Sequence, residues 1–170
     1  MTTAAELSIP GIAATAAERR AGYETLASML EGLLAREHDL IANAANTSAL
    51  IHASVPDLNW VGFYFLNEGE LVVGPFQGKP ACVRIPLGQG VCGTAAARRS
   101  TVVVPDVHAF AGHIACDAAS RSEIVIPLLQ GESLLGVLDI DSPLPGRFDE
   151  EDRLGLERLA RIFLCSLTAT

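Results

Sequence analysis

Apolar residues recur at helical spacing from about Ala16 to Ala35, where Tyr23, Leu26, Leu30, Leu33 and Leu34 fall on one side. A second, shorter helix is expected from Leu40 to His52, capped by Asp39 and closed by Pro56. The period then changes to that of strands. Positions 59–66 and 70–76 pair around a turn at Asn67–Gly69, and 81–87 and 101–104 give shorter strands. A helix of small residues lies between Gly90 and Ala97. Positions 123–130 and 133–140 are joined by Gly131–Glu132, a two-residue turn with glycine first, which signals a tight hairpin. A last helix starts at Asp149, after Pro145 and Gly146, and runs to about Leu167. Helices, then a mostly antiparallel sheet, then a helix make an α+β layer architecture. One domain over residues 1–170 is expected, with 1–14 as a loose N-terminal arm.

Alternation within the strands separates two faces. Val61, Phe63 and Phe65 point one way and should meet the terminal helices. Trp60, Gly62 and Tyr64 point the other way, with the glycine leaving room between two aromatics. In the last strand Val137, Asp139 and Asp141 share a face, and two carboxylates there are unusual for plain core. Glu123 opens the preceding strand. If these strands are neighbours, one face carries helices and the other a pocket with Trp60, Tyr64, Glu123, Asp139 and Asp141.

A chain of 170 residues, 49% hydrophobic, can bury a core without metal or disulfide staples. A formal net charge of −8 argues against nucleic acid and anionic membranes as partners. The first twenty residues lack a basic region followed by an apolar core, so no signal peptide is read there. No apolar run reaches the roughly 18 residues of a membrane helix. The expected compartment is the cytoplasm.

Three of the four cysteines, Cys82, Cys92 and Cys116, lie beside Gly, Pro or Ala in segments that read as loops or turns. Reactive thiols need such bent, accessible backbone. Four cysteines at irregular spacing in a cytosolic chain point to catalysis or metal before structural disulfides. Cys92 begins the small-residue helix, where the N-terminal dipole favours a thiolate. His113 is close to Cys116 and favours a thiolate there, while Asp117 acts in the opposite sense. Cys165 falls nearly opposite the apolar stripe of the last helix, beside Arg158 and Arg161, and reads as a bystander placed for a subunit contact in a homodimer.

The strings NWVGFYF, GPFQGKPACVRIPLGQGVCGTA, DVHAFAGHIACDAASRSEIVIPL and GVLDIDSP closely resemble the free methionine-(R)-sulfoxide reductases, a family built on a single GAF domain. The resemblance covers about Leu40 to Phe148 and includes all three of that family's cysteine positions. It implies a six-stranded, mostly antiparallel sheet with the terminal helices on one face and a loop-capped pocket on the other. It also implies reduction of free methionine-R-sulfoxide, with thioredoxin restoring the thiols, as part of repair under oxidative stress.

In such chemistry a thiolate attacks the sulfoxide sulfur while the oxygen is protonated, giving a thioether and a cysteine sulfenic acid. A second thiol condenses with the sulfenic acid to a disulfide. By resemblance Cys116 is the attacker. Cys82 and Cys92 compete for the resolving role, and the resemblance favours Cys82. Glu123, Asp139 and Asp141 jointly serve as counter-ion to the substrate ammonium and as proton donor, because crowding raises at least one carboxyl pKa. Trp60 and Tyr64 would wall the methyl and thioether. Taken singly, each of these residues also has a plainer role: Trp60 and Tyr64 as core aromatics, Asp141 as the start of an Asp-Ser-Pro turn.

Two other classes compete. A non-enzymatic GAF module sensing a small ligand would need the pocket but no cysteine trio, and would usually be joined to an output domain for which this chain has no room. A zinc-bound structural domain is disfavoured, because His108, His113 and the cysteines lack paired C-x-x-C or H-x-x-x-H spacing. Gly88, Gly90 and Gly93 approximate a dinucleotide fingerprint but lack its acidic residue and strand context. No cofactor and no metal are expected.

Overall fold

The computed structural model describes residues 14–112 and 118–168. The chain opens with two helices, α1 (Ala16–Leu34) and α2 (Leu40–Ser54). Thr15 and Glu18 close a reciprocal capping box on α1, and the Asp39 carboxylate accepts from the Ala42 amide at the start of α2. Strands β1 (Trp60–Asn67), β2 (Glu70–Gly78) and β3 (Arg84–Pro86) follow. Helix α3 (Gly90–Arg98) and strand β4 (Val102–Val104) precede the hairpin β5 (Ser122–Gln130) and β6 (Ser133–Ser142). Helix α4 (Glu150–Ser166) ends the fold, capped by Asp149. The strands form one antiparallel sheet in the order β3-β2-β1-β6-β5-β4.

The two faces separate as alternation predicts. Val61 and Phe63 join Leu26, Leu30, Ile51, Leu156, Leu159 and Phe163 in the core under the terminal helices. Phe63 packs on Phe163 with ring centroids 4.5 Å apart. Trp60, Tyr64, Val125 and Val137 build a second core with α3 on the opposite face. Two expectations change. Of the residues 81–87 only Arg84–Pro86 pair as a strand; Ala81 to Val83 form an irregular approach. Leu33, assigned to the buried stripe of α1, is 48% exposed.

Helix α4 is held to α1 by a close approach and a buried charge network. A Cβ on Gly155 would come 2.2 Å from the Tyr23 ring, so only glycine lets the helices meet there. The Tyr23 hydroxyl donates to Asp152 Oδ1 at 2.8 Å, and the Arg147 guanidinium donates to Asp152 Oδ2 at 3.0 Å. Arg147 and Asp152 are both fully buried, and Arg147 Nε also reaches the Pro56 carbonyl at 3.2 Å. Removing one partner would strand the other charge out of water. Asp152→Ala is therefore expected to lose about 3–5 kcal/mol in urea unfolding; an unchanged urea midpoint would remove this network from the account.

Candidate active site on the second sheet face

Register brings the expected residues together. Glu123 on β5 pairs directly with Asp141 on β6, and Asp141 pairs with Trp60 on β1. Asp139 lies between Val125 and Gly62. All of these positions share one face, because side chains alternate along each strand. Trp60 and Tyr64 are buried and stack with centroids 5.8 Å apart, and Trp60 also stacks on Phe76 at 5.2 Å. The space expected beside Gly62 is filled by the indole itself. A Cβ on Gly62 would lie 2.5 Å from the Trp60 ring, so the glycine lets the ring lie flat across its own strand. The Trp60 indole N–H donates to the Lys79 carbonyl at 3.1 Å. That bond ties the aromatic wall to the segment that carries Cys82.

Helix α3 covers the carboxylates and presents Cys92 to them. Its entry is shaped by glycines: Gly88 and Gly90 have φ of 82° and 61°. A Cβ on Gly93 would come 2.3 Å from the Pro86 carbonyl oxygen. The glycine run thus seats a short helix tightly on the sheet, which accounts for its spacing without a dinucleotide. Val91, Cys92, Ala95 and Ala96 are the buried face of that helix. The sequence signal for this burial was present, since these positions fall at i, i+1, i+4 and i+5.

Cys92 is therefore neither in a loop nor accessible. It is 4% exposed, and its thiol lies 4.0 Å from Glu123 Oε1. One ligand atom from each of Cys92, Glu123 and Asp139 falls within 4.8 Å of the others. The expectation that the helix dipole would favour a Cys92 thiolate is reversed. Burial, then the Asp139 and Glu123 carboxylates, push this thiol well above its ordinary range. Burial likewise raises Glu123, reinforced by Asp139 and Asp141. Asp139 is pushed up to about 6 by burial, while hydrogen bonds from Cys92 and Glu123 act the other way. The Tyr64 hydroxyl is raised by burial and then by Asp139, so it stays protonated. Asp139 Oδ1 is buried with no hydrogen-bond partner among the described residues.

The other cysteines divide clearly. Cys82, in the irregular segment between β2 and β3, is half-buried and disulfide-bonded. Cys92 and Cys165 carry free thiols, and Cys165 is exposed on α4 beside the groove lined by Arg158 and Arg161. Cys116, His113 and Asp117 lie outside the described residues. His108 sits exposed in a turn, its amide bonded to Asp106. Among the described residues those that could hold a metal are Cys92, Glu123 and Asp139, a set drawn from three elements that linear spacing did not bring together. Among the described residues no helix is long and apolar enough to cross a membrane.

Comparison with known proteins agrees with this construction. The model of the GAF domain matches residues 30–163. The chain is similar to the free methionine-R-sulfoxide reductase of Escherichia coli, with 56% identity covering 81% of this chain and 83% of that protein. It is similar to the protein of the same name from Saccharomyces cerevisiae, at 45% identity over 82% of each. The crystal structure of free methionine-R-sulfoxide reductase from Neisseria meningitidis, in complex with its substrate, superposes with a TM-score of 0.84 at 44% identity, covering 94% of this chain and 95% of that one. With its sheet order, its buried carboxylate face and these relatives, the chain belongs to the free methionine-R-sulfoxide reductase family of GAF domains.

Proposed function

We propose that this chain reduces free methionine-R-sulfoxide to methionine through cysteine chemistry, with thioredoxin restoring the thiols in the cytoplasm. The observation that carries this reading is the convergence on one sheet face of an aromatic wall and a buried, proton-holding carboxylate pair. The segment bearing Cys82 is tied to that wall. The relatives named above give the substrate class.

In the proposed cycle the Cys116 thiolate attacks the sulfoxide sulfur. The oxygen of the sulfur–sulfur-bonded adduct takes a proton from the carboxylate cluster and passes as hydroxyl to the Cys116 sulfur; the old sulfur–oxygen bond and the sulfur–sulfur bond break, and methionine leaves with Cys116 as a sulfenic acid. Cys82 then attacks that sulfenic acid, releasing water and forming a disulfide. Thioredoxin accepts the disulfide by dithiol exchange, returning both thiols. Cys82 is the disulfide-bonded cysteine among the described residues while Cys92 and Cys165 are free thiols, which favours Cys82 as the partner of Cys116. The orphaned Asp139 Oδ1 offers an acceptor for the substrate ammonium, and Glu123, which burial and its acidic neighbours keep protonated, offers the proton. Trp60 and Tyr64 flank the methyl and thioether.

A metal reading is favoured by one observation, the clustering of Cys92, Glu123 and Asp139. The same burial that clusters them raises the thiol and Glu123, so a metal would have to displace a proton from each of these two ligands to bind. In the proposed cycle protons, not zinc, hold the trio together.

Steady-state assays with free and with peptide-linked methionine sulfoxide, each as separated R and S epimers, test the proposal. A site that reads the ammonium should turn over only the free R epimer, in protein containing no stoichiometric zinc. Comparable rates on peptide-linked sulfoxide, or one tightly bound zinc per chain that sustains activity, would overturn it.

A further inference from the structure

Cys92 stands in a pocket of acids, and its surroundings suit a thiol that keeps its proton. It projects from α3 onto the sheet, where Glu123 comes from β5 and Asp139 and Asp141 from β6. Tyr64 from β1 belongs to the same buried cluster. Among the described residues the charges that act on it are the carboxylates of Asp139, Glu123 and Asp141. An ionised sulfur there would meet like charge from β5 and β6 and, among the described residues, no compensating cation.

We infer that Cys92 is a positioning residue, a protonated thiol that hydrogen-bonds the Glu123–Asp139 pair and sets where its shared proton resides, and not a carrier of electrons. The inference rests on the proposed reductase cycle and removes one of its two candidate resolving thiols. Geometry supports it three ways. The sulfur lies at hydrogen-bonding distance from Glu123 Oε1, 4.0 Å. The three donor and acceptor atoms are mutually within 4.8 Å. The helix that carries Cys92 is locked by the contact of Gly93 with the Pro86 carbonyl, so the thiol cannot swing out without unseating α3. A disulfide partner must be open to thioredoxin, and a 4%-exposed side chain facing carboxylates is not. A weak donor is suited to the positioning role, because it satisfies a carboxylate without adding charge.

Cys92→Ala and Cys92→Ser, assayed from pH 5.5 to 9 with the thioredoxin system and in single turnover, separate the roles. Cys92→Ala should still release one methionine per chain and still be recycled by thioredoxin. It should lose about tenfold in kcat/KM, as expected for a deleted hydrogen bond to an ionisable group. Its alkaline limb should move to higher pH, because the Cys92 bond lowers Asp139 and its removal raises the pair. Cys92→Ser, which restores a donor, should recover most of that loss and most of the shift. If Cys92→Ala is too unstable to purify, the Cys92→Ser pH profile and recycling decide alone. Loss of thioredoxin-dependent cycling with the single release retained, in either variant, would make Cys92 the resolving thiol. A pH profile identical to wild type in Cys92→Ala would reduce it to packing. Wild-type protein that fails to reduce the free sulfoxide would instead sink the proposed function, and is read separately from either variant.

Discussion

Cys116→Ser is expected to abolish turnover of free methionine-R-sulfoxide and, with it, the first stoichiometric release of methionine. The sulfur–oxygen bond breaks only if a thiolate takes up the oxygen, and a serine hydroxyl cannot be oxidised to replace it. Cys82→Ser should behave differently. It removes the resolving thiol, so one methionine per chain still appears, but the sulfenic acid persists and thioredoxin-dependent cycling slows. A sulfenic-acid trap should therefore label Cys82→Ser after one turnover and fail to label Cys116→Ser. Cys116→Ser protein that still releases one methionine per chain would show that the attacker is misassigned.

The second large effect is expected from the carboxylates. Glu123→Gln, Asp139→Asn and Asp141→Asn each remove a charge at nearly constant volume, and at least two should lose about tenfold or more, since acid catalysis typically supplies ~10²–10⁴. The pH dependence carries the sign. Burial raises both Glu123 and Asp139, the latter to about 6, and the charges of Asp139 and Asp141 raise Glu123 further. The protonated form is the acid, so kcat should fall as pH rises through the pair's titration. Asp139→Asn takes away the neighbouring charge that raises Glu123, so its alkaline limb should move to lower pH. Wild-type kinetics in all three variants would move the acid elsewhere, with His113 next in line.

Much of this site could be read from strand alternation. Trp60 and Tyr64 on one side of β1, with Val61 and Phe63 on the other, separate the face that packs under α3 from the face under the terminal helices. The Gly131–Glu132 turn set the first pairs of the β5–β6 hairpin, Gln130 with Ser133 and Leu129 with Leu134; a register shift between Leu128 and Leu129, which the turn does not foretell, then brings Glu123 opposite Asp141. Capping by Asp39 and Asp149 placed two helix starts correctly because those bonds are local. What sequence did not convey was non-local. Arg147 and Asp152 look like surface charges in the chain, yet they are buried against each other because α1, α4 and the segment at Pro56 converge on them. Cys92 sits beside glycines that suggest an open loop. The close approach of Gly93 to Pro86 turns that loop into the seat of a helix and buries the thiol among acids. The physical content of Gly93 is close contact, not bend and access.

The central claim is that thiols of this chain take the oxygen from the free amino acid. Fully reduced wild-type protein, freed of external reductant, should be mixed with excess free methionine-R-sulfoxide, with methionine counted per chain and the oxidised cysteines mapped by mass spectrometry. The account predicts one methionine per chain and a Cys82–Cys116 disulfide, with Cys92 and Cys165 still alkylatable after denaturation. No methionine, or methionine accompanied by a disulfide through Cys92, would contradict it.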